Sequence, residues 1–121
     1  MDEPPSKPLI GVVGPCGSGK STLTDGLEAH GYPCRHIAQE HSHVPAMWQV
    51  ISKPDVLIYL HASFAVCTQR HNLNWHEPEY AEQLRRLAHA REHAHLIIDT
   101  DALTPGQILQ TALTFLKDTA P

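Results

Sequence analysis

Apolar residues along this chain fall alternately into short continuous runs and into stripes with helical spacing. Residues 9–13 and 56–60 are apolar runs of the kind found in parallel strands covered on both faces. Residues 20–30 and 104–117 repeat their apolar side chains every three or four positions, which predicts helices packed on one face. The pattern therefore predicts strands and helices that take turns along the chain.

Weaker patterns supply the remaining elements. Residues 32–38 are less apolar than the other strand candidates, so we expect a strand at the edge of the sheet. A short final strand is expected over residues 96–98. Three further helices are predicted over residues 44–52, 63–70 and 79–94, with a loop over 71–78.

Two helix ends carry specific signals. Gly31 follows the helix predicted over residues 20–30, in the position where a left-handed residue commonly ends a helix. Thr104, Pro105 and Gln107 form a start signal, in which threonine caps, proline takes the first helical position and glutamine completes a capping box.

Alternating strands and helices predict an α/β fold, with a parallel sheet and helices on both of its faces. We expect one three-layer αβα domain over residues 9–121, with a short, mainly parallel sheet of about four strands. Residues 1–8 are polar and proline-rich and are expected to form a flexible leader.

Composition narrows the classes of protein. The 121 residues, with 41% hydrophobic and 18% charged, suit one globular domain. A net charge of −4 disfavours a nucleic-acid-binding surface. Cys16, Cys34 and Cys67 do not form a disulfide framework, which favours a reducing, cytoplasmic compartment. No signal peptide or membrane-length apolar run is present, so no membrane partner is expected.

A glycine-rich segment follows the first predicted strand and opens the first predicted helix. Residues 14–21 read Gly-Pro-Cys-Gly-Ser-Gly-Lys-Ser and match the Walker A pattern G-x-x-x-x-G-K-S/T without deviation. The predicted nucleotide-binding residues are Gly14, Pro15, Cys16, Gly17, Ser18, Gly19, Lys20, Ser21 and Thr22.

The chemistry of this pattern indicates ATP and Mg²⁺ as cofactors. Glycines let backbone N–H groups surround an anion, and the start of the helix adds partial positive charge. Lys20 is expected at the β- and γ-phosphates, and Ser21 at Mg²⁺. The chain lacks an N-K-x-D guanine signature, so ATP is favoured over GTP.

Three stretches resemble the P-loop kinases of the adenylate-kinase-like group, which includes nucleoside, nucleotide, shikimate and dephospho-coenzyme-A kinases. Residues 10–23 carry the phosphate loop. Residues 54–63 with 67–70 resemble the strand and helix that precede the arginine-bearing lid. Residues 99–105 look like the loop near the nucleotide base. The resemblance implies a kinase that transfers the γ-phosphoryl of ATP to a small-molecule acceptor, with Lys20, Arg70 and Glu40 as catalytic residues.

One departure from that group motivates an alternative. The chain is shorter than those kinases and has little room between residues 38 and 54 for a substrate-binding subdomain. The alternative is a nucleotide-binding or slowly hydrolysing module with a regulatory or partner-dependent role.

The second acid of the site has several candidates. Glu40 follows the second strand on the ligand side, where it would hold Mg²⁺ through water or act as a base; a solvated loop carboxylate is the competing interpretation. Asp55 precedes its strand and is interpreted as a turn residue. Asp99 and Asp101 follow the last strand, where the family resemblance implies a place near the adenine base; loop or capping chemistry is the competing interpretation for Asp101.

Arginines and histidine pairs outside the loop are the further candidates for charge stabilisation and metal binding. Arg70 is the expected transition-state arginine, whereas Arg85 and Arg86 fit an ordinary helix surface as well as a site. The pairs His41/His43 and His89/His93 have spacings that a metal can use, but neither has a cysteine beside it in sequence. We therefore expect no structural Zn²⁺ site there. For Cys16, the backbone is expected to matter more than the thiol.

Overall fold

The computed structural model describes residues 7–71 and 74–119. Most of the expected leader and part of the loop expected over 71–78 lie outside the described residues. Lys7, at the end of that leader, donates a hydrogen bond of 2.6 Å from its ammonium to the carbonyl oxygen of His30.

Strands and helices alternate as predicted, with small shifts at their ends. The strands are β1 (Ile10–Val13), β2 (Cys34–His36), β3 (Val56–His61) and β4 (Leu96–Asp99). The helices are α1 (Lys20–Ala29), α2 (Met47–Ile51), α3 (Phe64–His71), α4 (Glu77–His93) and α5 (Pro105–Thr119), and a 3₁₀ turn spans Gln39–His41.

The four strands form one parallel sheet in the order β2-β1-β3-β4. Val12 of β1 pairs with His36 on one side and with Ile58 on the other. β2 therefore lies at the sheet edge, as its weaker apolar pattern predicted. Because all strands run in the same direction, their carboxyl ends meet at one edge, where ligands bind in open sheets of this kind.

Helices cover both faces of the sheet, so the layers are α, β and α. Successive side chains of a strand point to opposite faces. Ile10 and Val12 pack in a cluster with residues of α1 and α5, whereas Val13 packs with residues of α2 and α4. The predicted α/β class, the parallel sheet and its four strands are confirmed.

Local signals at helix ends match the structure in two places. The amide of Gln107 donates to Thr104 Oγ1 over 3.2 Å, and the amide of Thr104 donates to Gln107 Oε1 over 2.9 Å, which completes the capping box. Gly31 has a φ of +88°, in the left-handed region that its place after α1 predicted.

Two predicted boundaries were wrong. α2 is shorter than the predicted 44–52, and the amide of Trp48 at its start donates to Gln39 Oε1 over 2.9 Å rather than to a helical carbonyl. α4 begins at Glu77, two residues earlier than predicted, because Pro78 fits the first turn of a helix rather than ending the preceding loop. The 3₁₀ turn after β2 was not predicted.

No helix within residues 7–71 and 74–119 combines the length and apolar character needed to cross a membrane.

Candidate functional site

The glycine-rich loop of residues 14–19, which the sequence predicts to bind phosphate, connects β1 to α1 at the carboxyl edge of the sheet, in close contact with neighbouring backbone. A Cβ added at Gly14 would lie 2.4 Å from the carbonyl oxygen of Leu60 in β3. Gly17 has a φ of +84°, and a Cβ there would lie 2.5 Å from the carbonyl oxygen of Cys67 in α3. Glycine is therefore required sterically at both positions, which fixes the loop against β3 and α3.

Lys20 lies at the start of α1 with its ammonium turned back into the loop. Nζ donates to the carbonyl oxygens of Gly14 at 2.7 Å and Pro15 at 3.1 Å. It also forms a salt bridge of 2.8 Å with Oε2 of Glu40. The Lys20 and Glu40 side chains are only 6% and 4% exposed, so this is a buried ion pair. The two predicted catalytic residues are thus brought together from 20 positions apart.

Glu40 is a buried carboxylate with spare bonding capacity. Its Oε1 atom is buried and has no hydrogen-bond partner among the described residues. Ionised carboxylates accept several hydrogen bonds or metal bonds, and a buried oxygen without any partner is costly. Glu40 is therefore not the solvated loop residue of the competing interpretation.

The neighbouring Gln39 explains why Glu40 is held in place. Gln39 is fully buried, and its amide nitrogen donates to the carbonyl oxygens of Val44 at 2.8 Å and Arg86 at 3.1 Å. Its side-chain oxygen accepts the amide of Trp48. These bonds join the turn after β2 to α4 and α2, so Glu40 is positioned by three elements.

Cys16 in the loop contacts Gln83, which the sequence did not identify, and His41, which it identified only as part of a histidine pair. Its amide donates to Gln83 Oε1 over 3.0 Å, and Gln83 Nε2 lies 3.3 Å from the Cys16 sulfur. The same sulfur lies 3.5 Å from Nε2 of His41. Gln83 shares the buried face of α4 with Leu87, and a polar residue on that apolar face was the signal available in the sequence.

The loop separates two cavities. One, of about 330 Å³, lies toward α5 and is lined by Gly17, Gly19, Thr22, Leu23, Arg70, Leu103, Pro105 and Ile108. The other, of about 270 Å³, lies toward β2 and is lined by Cys16, Gly17, Gly19, Lys20, Ser21, Thr22, His36, Ala38, Glu40 and His41. Ser18 is fully buried beneath the loop and lines neither.

Arg70 belongs to the α5-side cavity. Its guanidinium donates to Thr100 Oγ1 at 2.9 Å, to the carbonyl oxygen of Thr100, and to that of Ser18 at 3.5 Å. Glu40 lines the opposite cavity. The predicted catalytic residues are therefore divided, with Lys20 and Glu40 together and Arg70 on the other side of the loop.

The other candidate acids bond to backbone. Oδ2 of Asp55 accepts the amide of Leu9 over 2.8 Å at the amino end of the sheet, which confirms its interpretation as a turn residue. Asp101 accepts the amide of Ser63 over 2.8 Å, and Asp99 accepts that of Asp101 over 3.1 Å. Both carboxylates accept backbone amides, which for Asp101 agrees with the loop interpretation.

The α4 arginines differ in their distance from the site. Arg85 bonds Glu82 on the exposed helix surface, and this bond is the main cause that lowers the pKa of Glu82. Arg86 also pairs with Glu82, at 3.3 Å, but its Nη1 reaches the carbonyl oxygen of Glu40 at 3.4 Å. Arg86 therefore supports the backbone that carries Glu40.

The three thiols are unpaired and lie in different environments. Burial raises the pKa of Cys67 to about 11, and burial with the nearby charge of Glu28 raises that of Cys34 to about 11. Both are neutral thiols near pH 7. Cys16 is partly exposed and lines the β2-side cavity.

The residues present suit a magnesium-bound triphosphate. Ser21 and Glu40 line the same cavity and offer a hydroxyl and a carboxylate, which are the oxygen ligands that Mg²⁺ prefers. Lys20 and the start of α1 offer positive charge beside them. The unpartnered Oε1 of Glu40 leaves capacity for a further ligand or its water.

The chain matches no protein-family model, and no curated protein matches it in sequence. The geometry of the site is therefore the basis for its proposed function.

Proposed function

We propose that this protein binds ATP with Mg²⁺ through residues 14–22 and acts as a small kinase, transferring the γ-phosphoryl to a small-molecule acceptor. The observation that carries the proposal is the buried ion pair between Glu40 and Lys20, the lysine of a complete Walker A sequence. It supplies a mobile cation and an acid at the same end of the loop.

The start of α1 supports phosphate binding. Gly19 occupies the cap position, and no side chain in the described residues caps the helix. The first N–H groups of a helix have no acceptor within it, and anions bind there. In the proposed complex, Lys20 turns from the carbonyl oxygens of Gly14 and Pro15 toward the β- and γ-phosphates.

The α5-side cavity supports a nucleotide base. It has apolar walls in Leu103, Pro105 and Ile108, and the Arg70 guanidinium at its edge. A flat guanidinium stacks on aromatic rings, and apolar walls favour the burial of a purine. This placement gives Arg70 a role at the base, whereas the family resemblance implies a role at the phosphoryl group.

The β2-side cavity would then hold the acceptor. Glu40 would take the proton of an acceptor hydroxyl. The oxygen of that hydroxyl would bond to the γ-phosphorus as the bond between the γ-phosphorus and the bridging oxygen of the β-phosphate breaks. Lys20 would neutralise charge on the transferring group, and Mg²⁺ bound near Ser21 would supply further charge neutralisation when present. The released products would be ADP and the phosphorylated acceptor.

A specific observation favours a second function, a slowly hydrolysing or regulatory nucleotide-binding module. Between β2 and β3 the chain forms only a 3₁₀ turn of three residues and a helix of five. That length leaves no separate subdomain to enclose an acceptor and exclude water.

A phosphotransfer assay over a panel of hydroxyl and phosphate acceptors distinguishes the two functions. The kinase predicts acceptor-dependent ADP formation that Glu40→Gln lowers by roughly 100-fold or more. Glu82→Gln, an exposed glutamate away from the loop, is the matched control. Intact ATP binding with no turnover on any acceptor would refute the kinase, and phosphate release that needs no acceptor would support the second function.

A further inference from the structure

We propose that Cys16, Glu40 and His41 form a binding site for a borderline divalent cation such as Zn²⁺, separate from the Mg²⁺ of the triphosphate. The three side chains come from the phosphate loop and from the turn after β2. One ligand atom from each lies within 4.8 Å of the others. The cation would use Oε2 of Glu40, whereas Oε1 is the oxygen left for Mg²⁺ or its water. The proposal stands on this cluster and does not depend on phosphoryl transfer.

The distances suit a tetrahedral ion after a small contraction. The Cys16 sulfur lies 3.5 Å from His41 Nε2 and 4.0 Å from Glu40 Oε2, and the latter two atoms are 3.9 Å apart. Tetrahedral zinc bonds of about 2.0–2.3 Å place their ligand atoms about 3.3–3.6 Å from one another. The distance between the Cys16 sulfur and His41 Nε2 already fits. The two distances to Glu40 Oε2 would have to shorten by about half an ångström.

The mixed ligand set selects the class of cation. Sulfur, imidazole nitrogen and carboxylate oxygen together favour Zn²⁺ or a similar transition metal, whereas Mg²⁺ takes oxygen ligands. Three protein ligands leave a fourth position open, as in catalytic rather than structural zinc sites. That position would face the β2-side cavity, which all three residues line.

A neighbouring side chain supports a ligand on the sulfur. Gln83 directs its amide nitrogen at the Cys16 sulfur over 3.3 Å, a contact that suits a sulfur acting as an acceptor. Hydrogen bonds of this kind orient metal ligands and tune their binding.

Lys20 competes with the cation for Glu40. Its ammonium lies 2.8 Å from Oε2, the same oxygen that faces Cys16 and His41. A divalent cation on that oxygen repels the ammonium, so Lys20 must move as the metal binds. Phosphates also draw Lys20 away, so triphosphate and metal are expected to strengthen each other's binding.

Cobalt titration of the full chain, followed by absorption spectroscopy, tests the site. Co²⁺ replaces Zn²⁺ in such sites and is coloured. We expect one equivalent of Co²⁺ to bind, with a thiolate-to-cobalt charge-transfer band and the intense visible bands of tetrahedral cobalt. Zn²⁺ should displace it and excess Mg²⁺ should not. Absence of that charge-transfer band in the wild-type protein would overturn the proposal.

Matched variants assign the ligands. Cys16→Ser should abolish the charge-transfer band, and His41→Ala should weaken Co²⁺ binding by roughly 10- to 100-fold or more. The His41 side chain is 59% exposed, so its removal should not affect folding. His43→Ala, two residues further along the same exposed segment, is the control and should bind Co²⁺ as the wild type does. Equal losses in the two histidine variants would overturn the proposal.

Lys20→Met separates this site from the proposed function. Removal of the competing ammonium should tighten Co²⁺ binding several-fold or more, while ATP binding is lost. Unchanged or weaker Co²⁺ binding would overturn the metal site without affecting the nucleotide proposal. Retained ATP binding with tighter Co²⁺ binding would support the metal site and contradict the nucleotide proposal.

Discussion

The Lys20 ammonium lies 2.8 Å from the Glu40 carboxylate, and both side chains are almost completely buried. Burial of two charges costs desolvation energy that their attraction seldom repays fully, so such a pair is weak support for stability. A buried ion pair of this kind suits an exchange of partners instead. An incoming phosphate can replace the carboxylate as the partner of Lys20, which leaves Glu40 to act on another ligand.

Glu40→Gln should destabilise the protein and make it responsive to phosphate ligands. The change leaves Lys20 buried without its anion, at a cost of about 3 kcal/mol. Inorganic triphosphate supplies a new anion and should recover much of that loss. Urea unfolding with and without triphosphate measures both effects.

The control for that experiment is Glu82→Gln, which removes the ion pairs of a partly exposed carboxylate with Arg85 and Arg86. Its unfolding midpoint should stay within error of the wild type because pairs near solvent contribute little. Equal midpoints for the two glutamine variants would contradict a buried Lys20 ammonium that depends on Glu40 as its anion.

Two glycines of the loop should differ in their tolerance of alanine. At Gly17, a Cβ would meet the Cys67 carbonyl at 2.5 Å in addition to its left-handed backbone, so Gly17→Ala should cost about 2–5 kcal/mol. At Gly19, φ is +104° but no atom lies within 4 Å of the added carbon, so the cost should be about 1–2 kcal/mol. Chemical denaturation ranks the two, and a larger loss at Gly19 would refute the packing of the loop on α3.

Arg70→Ala should distinguish a role at the base from a role at the phosphoryl group. Because Arg70 lines the α5-side cavity, we expect ATP binding to weaken by roughly tenfold, or about 1.4 kcal/mol. Binding of inorganic triphosphate, which lacks the base, should change little. Calorimetry with both ligands makes the comparison, with the exposed Arg85→Ala as the control. Unchanged ATP affinity with loss of turnover would instead support the role that the family resemblance implies.

The free energy of unfolding should fall in alkaline solution because two thiols and a phenol are buried in their neutral form. Cys67 and Cys34 ionise with a pKa of about 11 in the folded protein but near 9.0 when unfolded, and burial raises the pKa of Tyr59 from 10.0 to about 12. The unfolded chain therefore loses these protons first. Their contribution is complete below about pH 9 and is lost as the pH rises through about 11, by about 1.4 kcal/mol per pH unit for each group at most.

Urea unfolding across that pH range measures the slope. The double variant Cys34→Ala/Cys67→Ala should show a shallower decline than the wild type, whatever its absolute stability. An equal slope would mean that the two thiols do not ionise differently on unfolding.

The fold and the glycine-rich loop between β1 and α1 were predictable because their signals are local. The loop residues are contiguous, the apolar run before them forms a buried strand, and the capping box of Thr104 and Gln107 needs only a four-residue segment. The edge position of β2 followed from its mixed composition. Such features depend on residues that are neighbours in sequence, so the pattern alone determines them.

The site around the loop was less predictable because it depends on contacts between distant residues. Glu40 was one of several acids that the sequence left open, and its buried position follows from the bonds of Gln39 to α4 and α2. Gln83 reaches Cys16 from 67 residues away, with no motif to mark it. Arg70 was a candidate in the sequence, but its place in the α5-side cavity depends on its hydrogen bond to Thr100, 30 residues away.

Calorimetric titration of Mg²⁺ and ATP into the wild-type protein and Lys20→Ala tests whether residues 14–22 bind phosphate. We expect one nucleotide to bind per chain in the wild type and a strong loss of binding in the variant. The loss should be seen with ATP and with inorganic triphosphate, since Lys20 acts on the phosphates. Unchanged affinity for ATP and GTP in Lys20→Ala, or no binding by the wild-type chain, would contradict the assignment of residues 14–22 as a phosphate-binding loop.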